Sequence, residues 1–92
     1  MGYFMKSKFK EIEDKLAESN PDAVLFHGYE DALIGIAIRF NILPVACYDY
    51  KKCIKILKIR DKMTDDQARE YFDYNTLGTW AGEHTPIFIN RI

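Results

Sequence analysis

Cys47, Cys53, His27 and His84 are the side chains of this sequence best suited to chemistry. A thiol beside an imidazole can act as a nucleophile with its base. A pair of histidines can work as acid and base or hold a metal. Cys53, if it lies in the first turns of a helix, would have its thiolate favoured by the helix dipole. Nothing in the spacing brings the four residues together. The CxxC pattern of a zinc site is absent, and two cysteines are too few for a disulfide framework. Two reduced, buried thiols and two loop histidines are the simpler expectation. Glu30, Asp31 and Asp49 could offer oxygens to a cation. They match no calcium loop, and turn and cap positions account for them. No catalytic residue, metal or cofactor is assigned, and the reading leans away from an enzyme. A small Cys/His-dependent enzyme or metal protein stays as the third alternative.

Two other constellations point to binding. Lys51, Lys52, Lys55, Lys58 and Lys62 form the marked charge cluster of the chain and could contact phosphates. A solvated helix face is the plainer reading of such a row, and no RNA motif or recognition helix accompanies it. The second constellation is aromatic. Tyr71, Tyr74 and Trp80 flank Asn75 and Gly78, two residues of modest or poor helix propensity. Aromatics at an edge are enriched in protein interfaces. Tyr71 and Tyr74 are the better partner contacts, whereas Phe72 reads as core. Glu83 and His84 complete the residues for which no local structural reason is evident.

The elements that must carry these residues are marked by their boundaries. Met5, Phe9, Ile12 and Leu16 share one face of a helix over 4–18, stopped by Ser19-Asn20-Pro21. Ala23–Phe26 reads as a short strand. In Ala32–Phe40, alternation sends Ile34, Ile36 and Ile38 to one face and Leu33, Gly35, Ala37 and Arg39 to the other. The small Gly35–Ala37 face would let a helix or another chain approach the backbone closely. Asn41–Pro44 turns the chain, and Val45–Tyr48 is a third strand. Asp49 caps a helix to about Asp61, and Thr64 with Gln67 has the form of a capping box for the next. Gly82 is a plausible helix stop, and Thr85–Ile89 is the last strand, with Pro86 at its beginning. The order is α-β-β-β-α-α-β. The expected fold is α+β: a four-stranded, mainly antiparallel sheet with helices on one face.

The 92 residues make one domain, 1–92. The hydrophobic share, 48%, suits a packed interior. The net charge of −1 provides no long-range attraction for nucleic acid or an anionic membrane. No apolar run reaches the roughly 20 residues of a membrane span, and the first residues lack the apolar core of a signal peptide. Cytoplasmic residence is the expectation.

Three segments, DALIGIAIRF, VACYDYKKCIKIL and MTDDQAREYFDYNTLGTWAGEHTPIFI, together resemble a family of small proteins met in bacteriophage and prophage genomes. The shared pattern is an acidic residue before an aliphatic-Ile-Gly strand, then Tyr-Asp and a Cys-Ile helix. Met-Thr with acidic residues, Tyr-Phe-x-aromatic-Asn and Gly-Glu-x-Thr-Pro follow. It runs from about Glu30 to Ile89, and the first helix falls outside it. Tyr74 takes the aromatic position before Asn75, and His84 the variable position before Thr85. The resemblance implies a phage setting and a role in the bacterial host cytoplasm, and brings no catalytic residues with it. The leading expectation is a non-enzymatic accessory protein that contacts or inhibits a host or phage protein. A nucleic-acid-associated protein using the Lys51–Lys62 face is the alternative. A homodimer is expected, through the free sheet edge or the aromatic surface.

Overall fold

Ile12 and Leu16 lie one helical turn apart, and both are buried in the computed structural model, which describes residues 8–77 and 82–92. They belong to helix α1 (Lys8–Ser19). Strands β1 (Leu33–Arg39) and β2 (Ile42–Asp49) follow, then helices α2 (Tyr50–Arg60) and α3 (Asp65–Phe72), and strand β3 (Ile87–Ile89). Short 3-10 turns occupy Glu30–Ala32 and Gly82–His84, and a π turn, Asp73–Leu77, continues α3. The described residues form an α+β fold, with three α-helices and a three-stranded mixed sheet in the order β1-β2-β3. β1 and β2 form an antiparallel hairpin; β2 and β3 run parallel. A parallel neighbour needs a long crossover, and α2 with α3 lies in that crossover.

Four strands were expected, and three form among the described residues. Ala23–Phe26 makes no ladder. Its backbone donors are taken elsewhere: Val24 donates to the His84 carbonyl at 3.2 Å, and Phe26 to Tyr48 Oη at 2.9 Å. The segment is thereby held to the fold without adding a strand. The turn between β1 and β2 is also shorter than expected. It is Phe40-Asn41, with Asn41 at φ +60, and Ile42–Pro44 already belongs to β2.

The strict alternation expected in β1 fails at Ile34. Leu33 pairs with Tyr48 and Gly35 with Cys47, so Ile34 is an extra residue, a β-bulge. Ala46 and Tyr48 face the helices, and Leu33 and Ile36 join them on that side. The core therefore receives Leu33 and Ile36 from β1, not Ile34, Ile36 and Ile38. Ile38 shares the face of Ile36 but is 88% exposed.

The helices meet that face with Ile12, Leu16, Cys53, Ile54, Leu57, Ala68 and Phe72. Their contact with the sheet is aromatic. Tyr48 and Phe88, neighbours in the parallel register, stack at 5.3 Å, and Phe72 meets Phe88 edge-on at 5.2 Å. Tyr29 and Tyr50 each meet Phe72 edge-on at 5.5 Å.

The helix starts expected at Asp49 and Thr64 form as read. Asp49 Oδ1 accepts the Lys52 N–H at 3.1 Å. Thr64 Oγ1 accepts the Gln67 N–H at 3.2 Å, and Gln67 Oε1 accepts the Thr64 N–H at 3.0 Å. Asp49 also binds Arg91, whose Nε lies at 2.9 Å and Nη2 at 2.8 Å from Oδ2. Burial opposes the Asp49 charge. The Lys52 N–H and the Arg91 guanidinium outweigh it and hold the carboxyl below its ordinary value. The stabilisation is present above the unfolded carboxylate pKa of about 3.9 and is lost as pH falls through the lower folded value. Asp49→Asn should therefore be less stable than wild type at neutral pH and lose less stability on acidification. Denaturant melts from pH 7 to 3 will check this; parallel pH profiles for the two proteins would refute it.

Candidate interaction surfaces

The described residues of α3 and its π turn place Tyr71 and Tyr74 on the surface, 43% and 81% exposed. Ala68 and Phe72 of the same helix are fully buried. Burial of Ala68 and Phe72 turns the intervening tyrosine outward. The two rings line a groove of about 480 Å³ with Asp61, Lys62, Met63, Gln67, Glu70 and Asn75. Lys62 turns the chain there with φ +55, carrying it from α2 into α3. The Asn75 amide donates to the Tyr71 carbonyl at 3.0 Å, within its own turn. Gly78 and Trp80 lie outside the described residues.

Glu83 and His84, which lacked a local explanation in the sequence, have one in the structure. The Glu83 carbonyl accepts Arg39 Nη2 at 2.7 Å, and the same nitrogen donates to the Leu43 carbonyl at 2.6 Å. The His84 carbonyl holds Val24, and its Nδ1 lies 3.2 Å from Asn20 Nδ2. Asn20 Nδ2 donates to the Pro44 carbonyl at 2.8 Å. Its other hydrogen can then reach His84 Nδ1, which accepts if the imidazole proton is on Nε2. These contacts tie the turn before β3 to the end of α1 and to the β1–β2 hairpin. The Glu83 backbone and the His84 backbone and ring anchor the fold.

The lysines line three different concavities. Lys51, Lys55 and Lys58 line a shallow cleft with Asp65 and Arg69. Asp65 answers part of its charge, lying 3.4 Å from Lys58 Nζ and 2.7 Å from Arg69 Nε. Lys52 lines a different concavity, with Glu30, Asp31 and Arg91. Lys62 belongs to the tyrosine groove.

The cysteines and histidines do not form an activated pair. Cys53 sits in α2 fully buried, and burial pushes its thiol up to about 12. Desolvation thus overrides the helix dipole that could have favoured the thiolate. Cys47 is half-buried, and burial raises its thiol too, with Arg91 opposing. His27 is exposed beside Glu30, at 3.9 Å, whereas His84 sits against Asn20. Glu30 accepts the Gly28 N–H at 3.0 Å, and Asp49 is occupied by its cap and by Arg91. Among the described residues, no group of three or more His, Cys, Asp or Glu side chains is placed to hold a metal.

One surface escaped the sequence reading. At the end of the β1–β2 hairpin, Phe40 is 95% exposed, and Ile42 and Leu43 are 41% and 48% exposed. With Ile38 they form an apolar tip. The signal was present as Phe40-Asn41-Ile42-Leu43, apolar residues around a turn residue, where polar ones are usual. Among the described residues, no helix is long and apolar enough to cross a membrane. Comparison with protein-family models, with curated proteins and with solved structures found no match.

Proposed function

We propose that this chain is a non-enzymatic interaction module that docks a partner protein on its Tyr71–Tyr74 face. The observation that carries the reading is two exposed tyrosines along one groove with Met63, bordered by polar side chains. That composition, aromatic and methionine anchors within a polar rim, is the one interfaces favour. The groove holds both signs of charge, in Asp61, Glu70 and Lys62, so shape and apolar contact select its partner. The resemblance of residues 30–89 to a phage and prophage family supports a host protein as that partner, met in the bacterial cytoplasm. An inhibitor of a host enzyme or defence complex is the specific form of this reading.

The test is capture from bacterial lysate by the wild type and by Tyr71→Ala/Tyr74→Ala. Both rings project from the surface, so the fold should survive, which circular dichroism will verify. Truncating a hot-spot tyrosine costs about 2 kcal/mol or more, about a thirtyfold loss of affinity. A stoichiometric partner retained equally by both proteins would reject the groove.

The second reading is a nucleic-acid-associated protein. Its support is the cleft where Lys51, Lys55 and Lys58 meet Arg69, an excess of positive charge over Asp65. Retention on random DNA or RNA should then fall steeply with salt and fall further in Lys51→Glu/Lys55→Glu. No retention at low salt would remove this reading.

A further inference from the structure

We propose that the free edge of β1 and the apolar hairpin tip bind a second copy of this chain, in an antiparallel β1–β1 pair that joins two sheets. β1 is an edge strand of the sheet. Among the described residues its outer side pairs with no other strand. Natural edges are usually blunted by charge, proline or a bulge. Here one register shift lies at Ile34, and a second, between Ala37 and Arg39, places its extra residue on β2, so that on β1 the run Gly35-Ile36-Ala37-Ile38-Arg39 continues with no proline and one charge. That charge, Arg39, is already bound to the Leu43 and Glu83 carbonyls.

A strand can pair with its own copy about a two-fold axis, so the edge must be complementary to itself. Gly35–Arg39 is centred on Ala37. An axis there sets Ile38 beside the second copy's Ile36, and Phe40 beside its Ile34. Gly35 falls opposite Arg39, and a Cβ built on Gly35 meets no atom within 4 Å, so space exists for the long side chain. Every pairing is apolar on apolar or charged on small, and no like charges face each other.

Area points the same way. Ile38, Phe40, Ile42 and Leu43 together expose on the order of 500 Å² of side chain, as large as the biggest patch of an ordinary monomer. Of these, Ile38 and Phe40 lie along the seam, and two copies would bury on the order of 700 Å² from them, to which the strand edges add theirs toward the roughly 1,000 Å² of a specific interface. The surface shares no residue with the Tyr71–Tyr74 groove, so dimerisation would leave that groove free and give it two copies per assembly.

Sedimentation equilibrium of the wild type should give twice the 10.8 kDa chain mass. Ile38→Lys/Phe40→Lys adds like charges across the axis at two almost fully exposed positions. It should keep the wild-type circular dichroism and weaken the dimer by about a hundredfold or more. Ala37→Cys should form an intermolecular disulfide on mild oxidation, because residues facing each other across antiparallel strands lie within bridging distance. Peptide mapping will identify the link as one between the introduced thiols of the two copies, distinct from any bridge through Cys47 or Cys53. A wild type that stays monomeric at its highest soluble concentration overturns the proposal. So does a dimer that persists in the lysine variant. A dimer that Ala37→Cys cannot cross-link, while Tyr74→Cys does, overturns it in favour of the aromatic face.

Discussion

Phe72→Ala is expected to destabilise the protein by about 3–5 kcal/mol, the range for emptying an aromatic site in a packed core. Phe72 is fully buried and meets Tyr29, Tyr50 and Phe88 edge-on. Tyr29 leads into β1, Tyr50 begins α2, and Phe88 lies in β3, so one ring joins three parts of the fold. These neighbours are themselves large and cannot collapse far into the space left behind. Aromatic pairs also lose about 0.5–1.5 kcal/mol each beyond the area term. A domain of this size loses about 4–8 °C of Tm per kcal/mol, so the melting temperature should fall by about 12–40 °C. Tyr50→Phe is the control. It keeps the ring against Phe72 and removes an exposed bond to Asp73 Oδ1, at 3.2 Å, together with an interaction with Arg69. Its Tm should stay within a few degrees of wild type. If Phe72→Ala melted within about 5 °C of wild type, roughly one kcal/mol on that scale, the aromatic cluster would not be the centre of the core.

Much of this was legible before the structure, and the reasons differ from element to element. The starts of α2 and α3 are local events. Asp49, Thr64 and Gln67 reach backbone donors three residues away, so type and spacing are enough to read them. The lost strand at Ala23–Phe26 is not local. Its apolar residues are right for a strand, but its fate depends on Tyr48 and His84, which are 22 and 60 residues from the donors they accept. The bulge at Ile34 is also a tertiary choice. Ile34 and Ile36 look equivalent in sequence, and only the pairing with Cys47 and Tyr48 decides which one enters the core. The exposure of Tyr74 could be anticipated because Ala68 and Phe72 share a helical stripe that it does not, whereas Tyr71 reads as part of that stripe and is 43% exposed. The tip at Ile38–Leu43 was marked only by apolar residues around the turn residue Asn41, a signal that the usual burial of apolar residues overrides.

Asn20 carries the second large effect, through hydrogen bonds in place of packing. In the sequence it is one letter of a helix stop. In the structure it is 1% exposed, with each polar group engaged. Its N–H closes α1 on the Leu16 carbonyl at 2.7 Å, and its Oδ1 accepts the Asp22 N–H at 3.2 Å. Its Nδ2 donates to the Pro44 carbonyl and sits against His84 Nδ1. Asn20→Ala keeps the backbone bond and deletes the rest. It leaves the half-buried Pro44 carbonyl without its donor, whereas the N–H of exposed Asp22 can turn to water, and a buried unpaired group costs about 1–3 kcal/mol. The cost is about 1–3 kcal/mol on that scale, read as a lower urea midpoint at an unchanged slope. A packing role and a hydrogen-bonding role separate in Asn20→Asp. Aspartate fills the same volume but replaces the donor with an oxygen that faces the Pro44 carbonyl. If Asn20 acts as a donor, Asn20→Asp at neutral pH will be at least as unstable as Asn20→Ala. If it merely fills space, Asn20→Asp will sit near wild type. Loss of this one amide should also loosen the turn before β3, because α1, the hairpin and Gly82–His84 meet at its side chain. Faster hydrogen exchange at Val24 and Thr85, whose N–H groups donate to the His84 and Gly82 carbonyls at 3.2 Å each, is the expected signature.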